Sequence, residues 1–320
     1  MKLGDTAVDV TTFGFGAAGI GNLYTTVSDA DAEATLQAAW DAGVRYFDTA
    51  PHYGLGLSER RLGKFLAGLP RASFVVSTKV GRLLEPIVAD GLDLANGFAV
   101  PRSHRRVWDF SADGIKRSVE SSLERLGLDR VDVLLLHDPD DHWETAAGEG
   151  FSTLASLRSQ GVVGAVGVGM NQWQMPARFI RETSIDVVML AGRYTLLEQT
   201  AATEFLPLCA ERGVSVLAAG VFNSGLLARA QIQDNAKYNY VEAPRELVDR
   251  AQRIASVCAQ YDVTLPQAAV QFVLRDPSVA SVVLGVKSAA QVERNARLFT
   301  EPVPGQLWDD LCAEGLLDAR

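Results

Sequence analysis

Three observations in the 320-residue chain predict an α/β fold, and within it a single (β/α)8 TIM barrel. First, short apolar runs rich in Val and Leu alternate with helical patterns along the whole length, as parallel strands buried on both faces should. Second, Asp48, Lys79, His137 and Asn171 fall at or just past the ends of such runs, where a barrel gathers its functional groups. Third, the one glycine fingerprint, Gly14-x-Gly16-x-x-Gly19, stands alone. No acidic residue closes a clear second strand about 20 residues on, so a doubly wound dinucleotide sheet is disfavoured. No composition break or low-complexity linker interrupts the pattern, so residues 1–320 read as one domain.

The elements follow in order. Strand 12–15 runs into the glycines. Helix 29–42 has Ser28 as its cap and Gly43 as its stop. Strand 44–48 closes on Asp48, and a loop with Pro51, Gly54 and Gly56 carries Tyr53. Ser58 is the N-cap expected for helix 58–67. Strand 73–78 leads to Lys79, and a long loop spans 80–110. Helix 111–126 puts Leu123 and Leu126 on one face and stops at Gly127. Strand 131–137 ends on His137, and helix 144–160 stops at Gly161. Strand 162–168 precedes helix 173–183, and strand 186–190 precedes helix 201–212, stopped by Gly213. Strand 214–219 opens a second long loop, 220–243, followed by helices 244–260 and 265–275. Strand 281–285 and helix 288–298 complete the count, and the tail 302–320 is partly helical. Long loops in compact domains tend to be lids, so 80–110 and 220–243 are expected over the barrel mouth.

Composition narrows the function classes. The chain is 48% hydrophobic and 22% charged, with a formal net charge of −9. An acidic chain without a long basic run is no general nucleic-acid binder. Its one basic cluster, Arg102 to Arg106, reads as a solvated loop. Cys209, Cys258 and Cys312 lack metal-ligand spacing, which suits a reduced, cytoplasmic protein. No signal peptide is apparent in residues 1–20, and no apolar run reaches the roughly 18 residues of a membrane span.

The strand-end residues suggest acid–base chemistry. A tyrosine titrates near pH 10, and a neighbouring ammonium favours its phenolate. Lys79 is placed to lower the Tyr53 pKa, Asp48 to hold Lys79, and His137 to grip the oxygen of a reacting carbon. Such a set needs neither nucleophile nor metal and suits hydride transfer with a cofactor. Singly, Asp48 reads as a cap, Lys79 as a surface charge, Tyr53 as a loop aromatic and His137 as a core histidine. Four together at the strand ends of one barrel outweigh those readings.

From end to end the chain resembles the aldo-keto reductases. The resemblance is carried by Phe47-Asp48-Thr49-Ala50-Pro51-His52-Tyr53-Gly54, Ser77-Thr78-Lys79-Val80-Gly81 and Leu134-Leu135-Leu136-His137-Asp138-Pro139. Gly164-Ala-Val-Gly-Val-Gly-Met-Asn171 and Leu284-Gly285-Val286-Lys287-Ser288 continue it. It implies a barrel that binds a nicotinamide cofactor without a Rossmann fold. It also implies a catalytic tetrad of Asp48, Tyr53, Lys79 and His137, with Asn171 on the carboxamide. Gly220, Phe222 and Ser224 would line the pyrophosphate. Ala219 stands where the family often stacks a tyrosine, and Ala191-Gly192-Arg193-Tyr194 where it often carries a glutamine. In the adenosine segment Lys287, Ser288 and Asn295 match, but Gln291 occupies the position of an arginine that holds a 2′-phosphate. NAD is therefore expected to be preferred and NADP tolerated.

Within the family, HDPDDHW (137–143), GVGMNQWQMP (167–176) and AGRYTLLEQ (191–199) look most like sugar-type dehydrogenases. The expected substrate is a small sugar or aldehyde: an aldose such as L-fucose, oxidised at C1 to its lactone. The alternatives are the pyridoxal hemiacetal and a general aldehyde or ketone reduction. Asp138, His142 and Trp143 are candidate substrate contacts, unless this stretch simply caps the helix near Glu144. The rival from another class is a silent cofactor-binding subunit, which the complete tetrad disfavours. No nucleic-acid or membrane partner is expected; the chain reads as a monomer or weak homo-oligomer.

Overall fold

A computed structural model describes residues 1–232, 236–239 and 241–318. Eight parallel strands close into a barrel: Phe13–Gly16, Tyr46–Asp48, Val75–Val80, Val133–His137, Ala165–Met170, Val187–Ala191, Ser215–Ala219 and Val279–Gly285. Each pairs with its sequence neighbours, and the first pairs with the last. Side chains on a strand alternate between faces. Tyr46, Val133, Leu135, Val187, Met189, Leu217 and Val283 point into the barrel and form one buried cluster. Phe47, Val76, Val80, Leu134, Leu136, Val166 and Val188 point outward into the layer shared with the helices. The same parity sends Asp48, Ser77, Lys79 and His137 inward. The N-terminal residues plug the opposite end: Leu3, Val8 and Val10 join the inner cluster, and Gly4 N–H donates to Ser215 Oγ at 2.8 Å.

Expected caps hold at Ser28, whose side chain accepts from Asp31 N–H, and at Gly127, which ends its helix in the left-handed region. Ser58 does not cap. Helix Leu57–Leu66 starts from Gly56 at φ 80°, and Ser58 lies buried in its first turn. Its hydroxyl donates to Ala17 O at 2.8 Å and meets Thr49 Oγ1 at 2.8 Å, joining helix to barrel. The helix expected over 144–160 contains a π-helical segment, Ala146–Gly150, before Phe151–Ser159. Gly14 serves packing: a Cβ there would lie 2.8 Å from Ser281 Oγ and 2.9 Å from Tyr46 Cδ1.

Loop 80–110 is largely an antiparallel hairpin, Arg82–Pro86 with His104–Trp108. Tyr24 N–H donates to Gly97 O at 2.7 Å and Ala99 N–H to Asn22 O at 2.9 Å, which tie its connecting loop to the segment after the first strand. In the second long loop, Lys237–Tyr238 pairs with Val241–Glu242. The expectation of a lid over 220–243 falls partly on 233–235 and 240, which lie outside the described residues.

Candidate active site

Three neighbouring strands deliver the central groups. Register places Asp48 beside Ser77 and Lys79 beside Leu135, and His137 ends the next strand beside Gly169. Lys79 Nζ reaches Asp48 Oδ2 at 2.7 Å, Tyr53 Oη at 3.0 Å and Thr49 O at 3.1 Å. An ammonium has three protons, and all three are used. Lys79 has no acceptor, so it donates to the phenol oxygen, and the Tyr53 proton is left to point elsewhere. Ser77 Oγ donates to the other Asp48 oxygen at 2.7 Å, and Tyr46 Oη lies 2.9 Å from Ser77 Oγ. Because Ser77 spends its proton on Asp48, Tyr46 donates to Ser77. One chain therefore runs from Tyr46 through Ser77, Asp48 and Lys79 to Tyr53.

Burial sets the electrostatics. It works against the charge on Lys79, but Asp48 and Tyr53 outweigh it and hold the ammonium above the ordinary lysine range. Burial raises Asp48, with Lys79 and Ser77 opposing. Burial also raises Tyr53, against the pull of Lys79 and with a push from Asp48. The sequence-based expectation of a lowered Tyr53 is thus corrected: desolvation of the phenolate exceeds the lysine's attraction.

His137 stands edge-on to Tyr53, ring centroids 6.1 Å apart at 86°. Burial, then Arg82 and Lys79, push its pKa well down, so it is neutral. Its Nδ1 is buried and has no protein partner among the described residues. Asp138, at φ 42°, pairs with Arg82 of the hairpin; burial raises its pKa while Arg82 opposes. His142 is stacked near Trp108 (6.4 Å, 19°) and 5.5 Å from Phe110. The Trp143 ring is engaged by Phe179, 4.8 Å away, and by the Arg178 guanidinium at 3.7 Å over its face. That is an outer-layer contact rather than an open sugar platform.

The candidate cofactor residues occupy the same end. Asn171 is exposed directly after the fifth strand. Gly220, at φ 62°, follows the seventh strand, with Phe222 and Ser224 in the turn beyond. Ser288 caps helix Ala289–Leu298, and Asn295 is buried within it. Gln291 Oε1 accepts from Lys287 N–H at 2.9 Å, and Lys287 Nζ donates to Thr25 Oγ1 at 3.0 Å. Lys287, Ser288, Gln291 and Thr25 border a cavity of about 340 Å³ that is also lined by Asp31.

Sequence reasoning missed several neighbours. Ser77 and Tyr46 show their role only through strand parity and register. Arg106, assigned to a solvated loop, is almost fully buried: its side chain is 5% exposed and paired with Asp93 at 2.6 Å. Hairpin pairing hid this, because it joins residues about 20 apart, and no local pattern marks such a pair. Asp31, within the expected helix 29–42, carries no local mark of the cavity it lines.

A closed β/α barrel whose mouth holds a fixed ammonium between a carboxylate and a phenol is an acid–base oxidoreductase in its architecture. Residues 12–311 match the Aldo/keto reductase family, and the chain belongs to it. It is an oxidoreductase of a family that uses NAD(P)(H). It is 50% identical over 312 residues to a D-threo-aldose 1-dehydrogenase from a Pseudomonas species, covering 96% of this chain and 95% of that one. It is 40% identical over 333 residues to pyridoxal 4-dehydrogenase of Microbacterium luteolum, covering 98% and 97%. Among solved structures, an aldo-keto reductase from Bacillus halodurans in its holo form superposes with a TM-score of 0.77 at 25% identity, covering 100% of this chain and 96% of that one. Among the described residues no helix is long and apolar enough to cross a membrane.

Proposed function

We propose that one barrel domain spanning residues 1–320 oxidises an aldose, such as L-fucose, at C1 to the lactone with NAD. The observation that carries the chemistry is the threefold bonding of Lys79, which leaves the Tyr53 phenol facing outward from its cation. The substrate class is supported by the relative that is 50% identical along nearly the whole chain. Tyr53 accepts the proton of the anomeric hydroxyl. Lys79 stabilises the phenolate that must form first, and Asp48 balances the lysine. Neutral His137 orients the reacting oxygen. Asp138 and His142 border the substrate; Trp143 is the weakest of the three, because its ring is already committed to Phe179 and Arg178.

When bound, the nicotinamide supplies the acceptor for the C1 hydride. The donor set fits a dinucleotide: a capped helix N-terminus, a lysine, hydroxyls and a carboxamide around one cavity. Asn171 would hold the carboxamide, Gly220, Phe222 and Ser224 the pyrophosphate, and Lys287, Ser288, Gln291 and Asn295 the adenosine. NAD is preferred because Gln291 is neutral where a 2′-phosphate wants a guanidinium. Asp31 on the same cavity adds a negative charge that disfavours the phosphate and suits a ribose hydroxyl. NADP is tolerated through Lys287. Three free cysteines suit a reducing, cytoplasmic setting, and a monomer or weak homo-oligomer suffices.

The second reading is oxidation of the pyridoxal hemiacetal, favoured by the relative that is 40% identical over 98% of the chain. Turnover of L-fucose, D-arabinose, L-galactose and pyridoxal with NAD separates the two. Strong turnover of pyridoxal with none of any sugar would reverse the ranking.

A further inference from the structure

A second imidazole stands beside the acid–base chain and has no part in the chemistry above. His52 directly precedes Tyr53 and is half-buried. Its ring is edge-on to His137 (5.6 Å, 82°) and to Phe98 (5.2 Å, 90°), and its centroid lies 6.0 Å from that of Tyr53. Its Nδ1 accepts a hydrogen bond from Arg106 Nε, and its carbonyl accepts from Arg106 Nη2 at 3.1 Å. Arg106 is gripped in turn by Asp93, Nη1 to Oδ1 at 3.0 Å and Nη2 to Oδ2 at 2.6 Å.

This arrangement dictates a tautomer. A guanidinium only donates and keeps its charge at every accessible pH. The Nδ1 lone pair must therefore face Arg106, and the ring proton sits on Nε2. Burial, then Arg106, Arg82 and Lys79, drive the His52 pKa down to about 2, so the ring stays neutral. A buried ion pair on the hairpin thus holds one imidazole in one orientation with one donor, next to the two rings that flank the reacting oxygen. Joining the hairpin to the Tyr53 loop would need only the Nδ1 side of that ring.

We propose that His52 is a substrate-binding residue: its Nε2–H donates to the oxygen on the carbon next to the reacting one, the C2 hydroxyl of an aldose. Arg106 and Asp93 are the positioning residues behind it. The inference rests on the aldose reading above. Hydrogen bonds of about 3 Å from rings 5.6 Å apart suit oxygens on adjacent carbons. A site built to bond a hydroxyl rejects the analogue that lacks it, because its donor is left unpaired.

The test compares D-arabinose with 2-deoxy-D-ribose, its 2-deoxy counterpart, using NAD and wild type, His52→Asn and His52→Gln. Asparagine keeps an acceptor near the Nδ1 position for Arg106 but lacks reach; glutamine places an N–H near Nε2 and loses that acceptor. The wild type should favour D-arabinose in kcat/KM by about tenfold or more. His52→Asn should erase most of that preference, chiefly through KM for D-arabinose, and leave 2-deoxy-D-ribose within about twofold. His52→Gln should restore part of the preference. A wild type that does not discriminate, parallel losses on both sugars, or Asn behaving like wild type while Gln fails would each overturn the role of His52. The last pattern marks a hairpin staple. If the wild type oxidises neither sugar, the aldose reading has failed and this inference falls with it.

Discussion

Replacing Lys79 by methionine removes the cation from a pair whose members are 2% and 3% exposed and 2.7 Å apart. Asp48 is then a buried carboxylate with, among the described residues, only the Ser77 hydroxyl to satisfy it. Stranding such a charge costs about 3–5 kcal/mol. The cost has a ceiling, because Asp48 can take up a proton instead. Burial already raises its pKa, and the variant loses the lysine that opposed the rise. In the unfolded chain an aspartate titrates near pH 3.9. Keeping it neutral in the folded state at pH 7 costs about three pH units at about 1.4 kcal/mol each, or about 4 kcal/mol. At pH 5 the same arithmetic gives about 1.5 kcal/mol.

The sign follows from linkage. A carboxyl with a raised folded pKa carries no penalty below its unfolded pKa, and stability is lost as pH rises toward the folded value. Lys79's own raised pKa acts only above about pH 10 and stays outside the window. Urea unfolding of wild type and Lys79→Met at pH 5 and pH 8 should therefore show a deficit that widens with pH. Adding Asp48→Asn should remove the pH dependence and return stability to within about 1 kcal/mol of wild type, since no charge is left unpaired. Turnover should not return. A deficit below about 1 kcal/mol at pH 8, or one that is flat with pH, would refute the buried-pair account.

Three further outcomes are expected. Tyr53→Phe should lower kcat by at least about 10³-fold while the dinucleotide Kd, read by fluorescence quenching, stays within about twofold; retained turnover would remove Tyr53 from its role. Gln291→Arg should raise kcat/KM with NADP by about tenfold and tighten its Kd, as one charge-assisted contact allows; a wild type that already favours NADP contradicts the reading of Gln291. For oxidation, kcat/KM should climb by about tenfold per pH unit across pH 6–8, because Tyr53 must be deprotonated and its pKa is raised. The His52 and His137 imidazoles are held neutral, so neither contributes a break near pH 6.5; an inflection there that survives His142→Asn would count against both.

The barrel and its four central residues were legible because strand endings are marked locally. An apolar run ends, and a charged or ring residue follows, as at Asp48, Lys79 and His137. What stayed hidden depended on distant partners. Ser58 carries a capping residue type, but Gly56 at φ 80° starts the helix two residues earlier and turns Ser58 into the core. Arg106 reads as surface charge until the hairpin pairs Arg106 with Leu84 and brings Asp93 within reach. The direction of the Tyr53 shift is a balance between burial and attraction, and sequence reports the charges but not the depth.

The hairpin joins the rest of the molecule in a particular way. Near the barrel mouth it is fastened by Arg82 to Asp138 and by Arg106 to His52, while Lys79, Asp48 and Tyr53 owe it no hydrogen bond among those described. The proposed proton-transfer groups and the hairpin arginines that hold His52 and Asp138 in place thus sit on separately replaceable parts. A grafted 82–108 segment from a relative with another substrate, carrying its two arginines, is a one-piece route to new selectivity. Lineages of this barrel could diversify the same way, trading the cover while the machinery beneath is inherited unchanged.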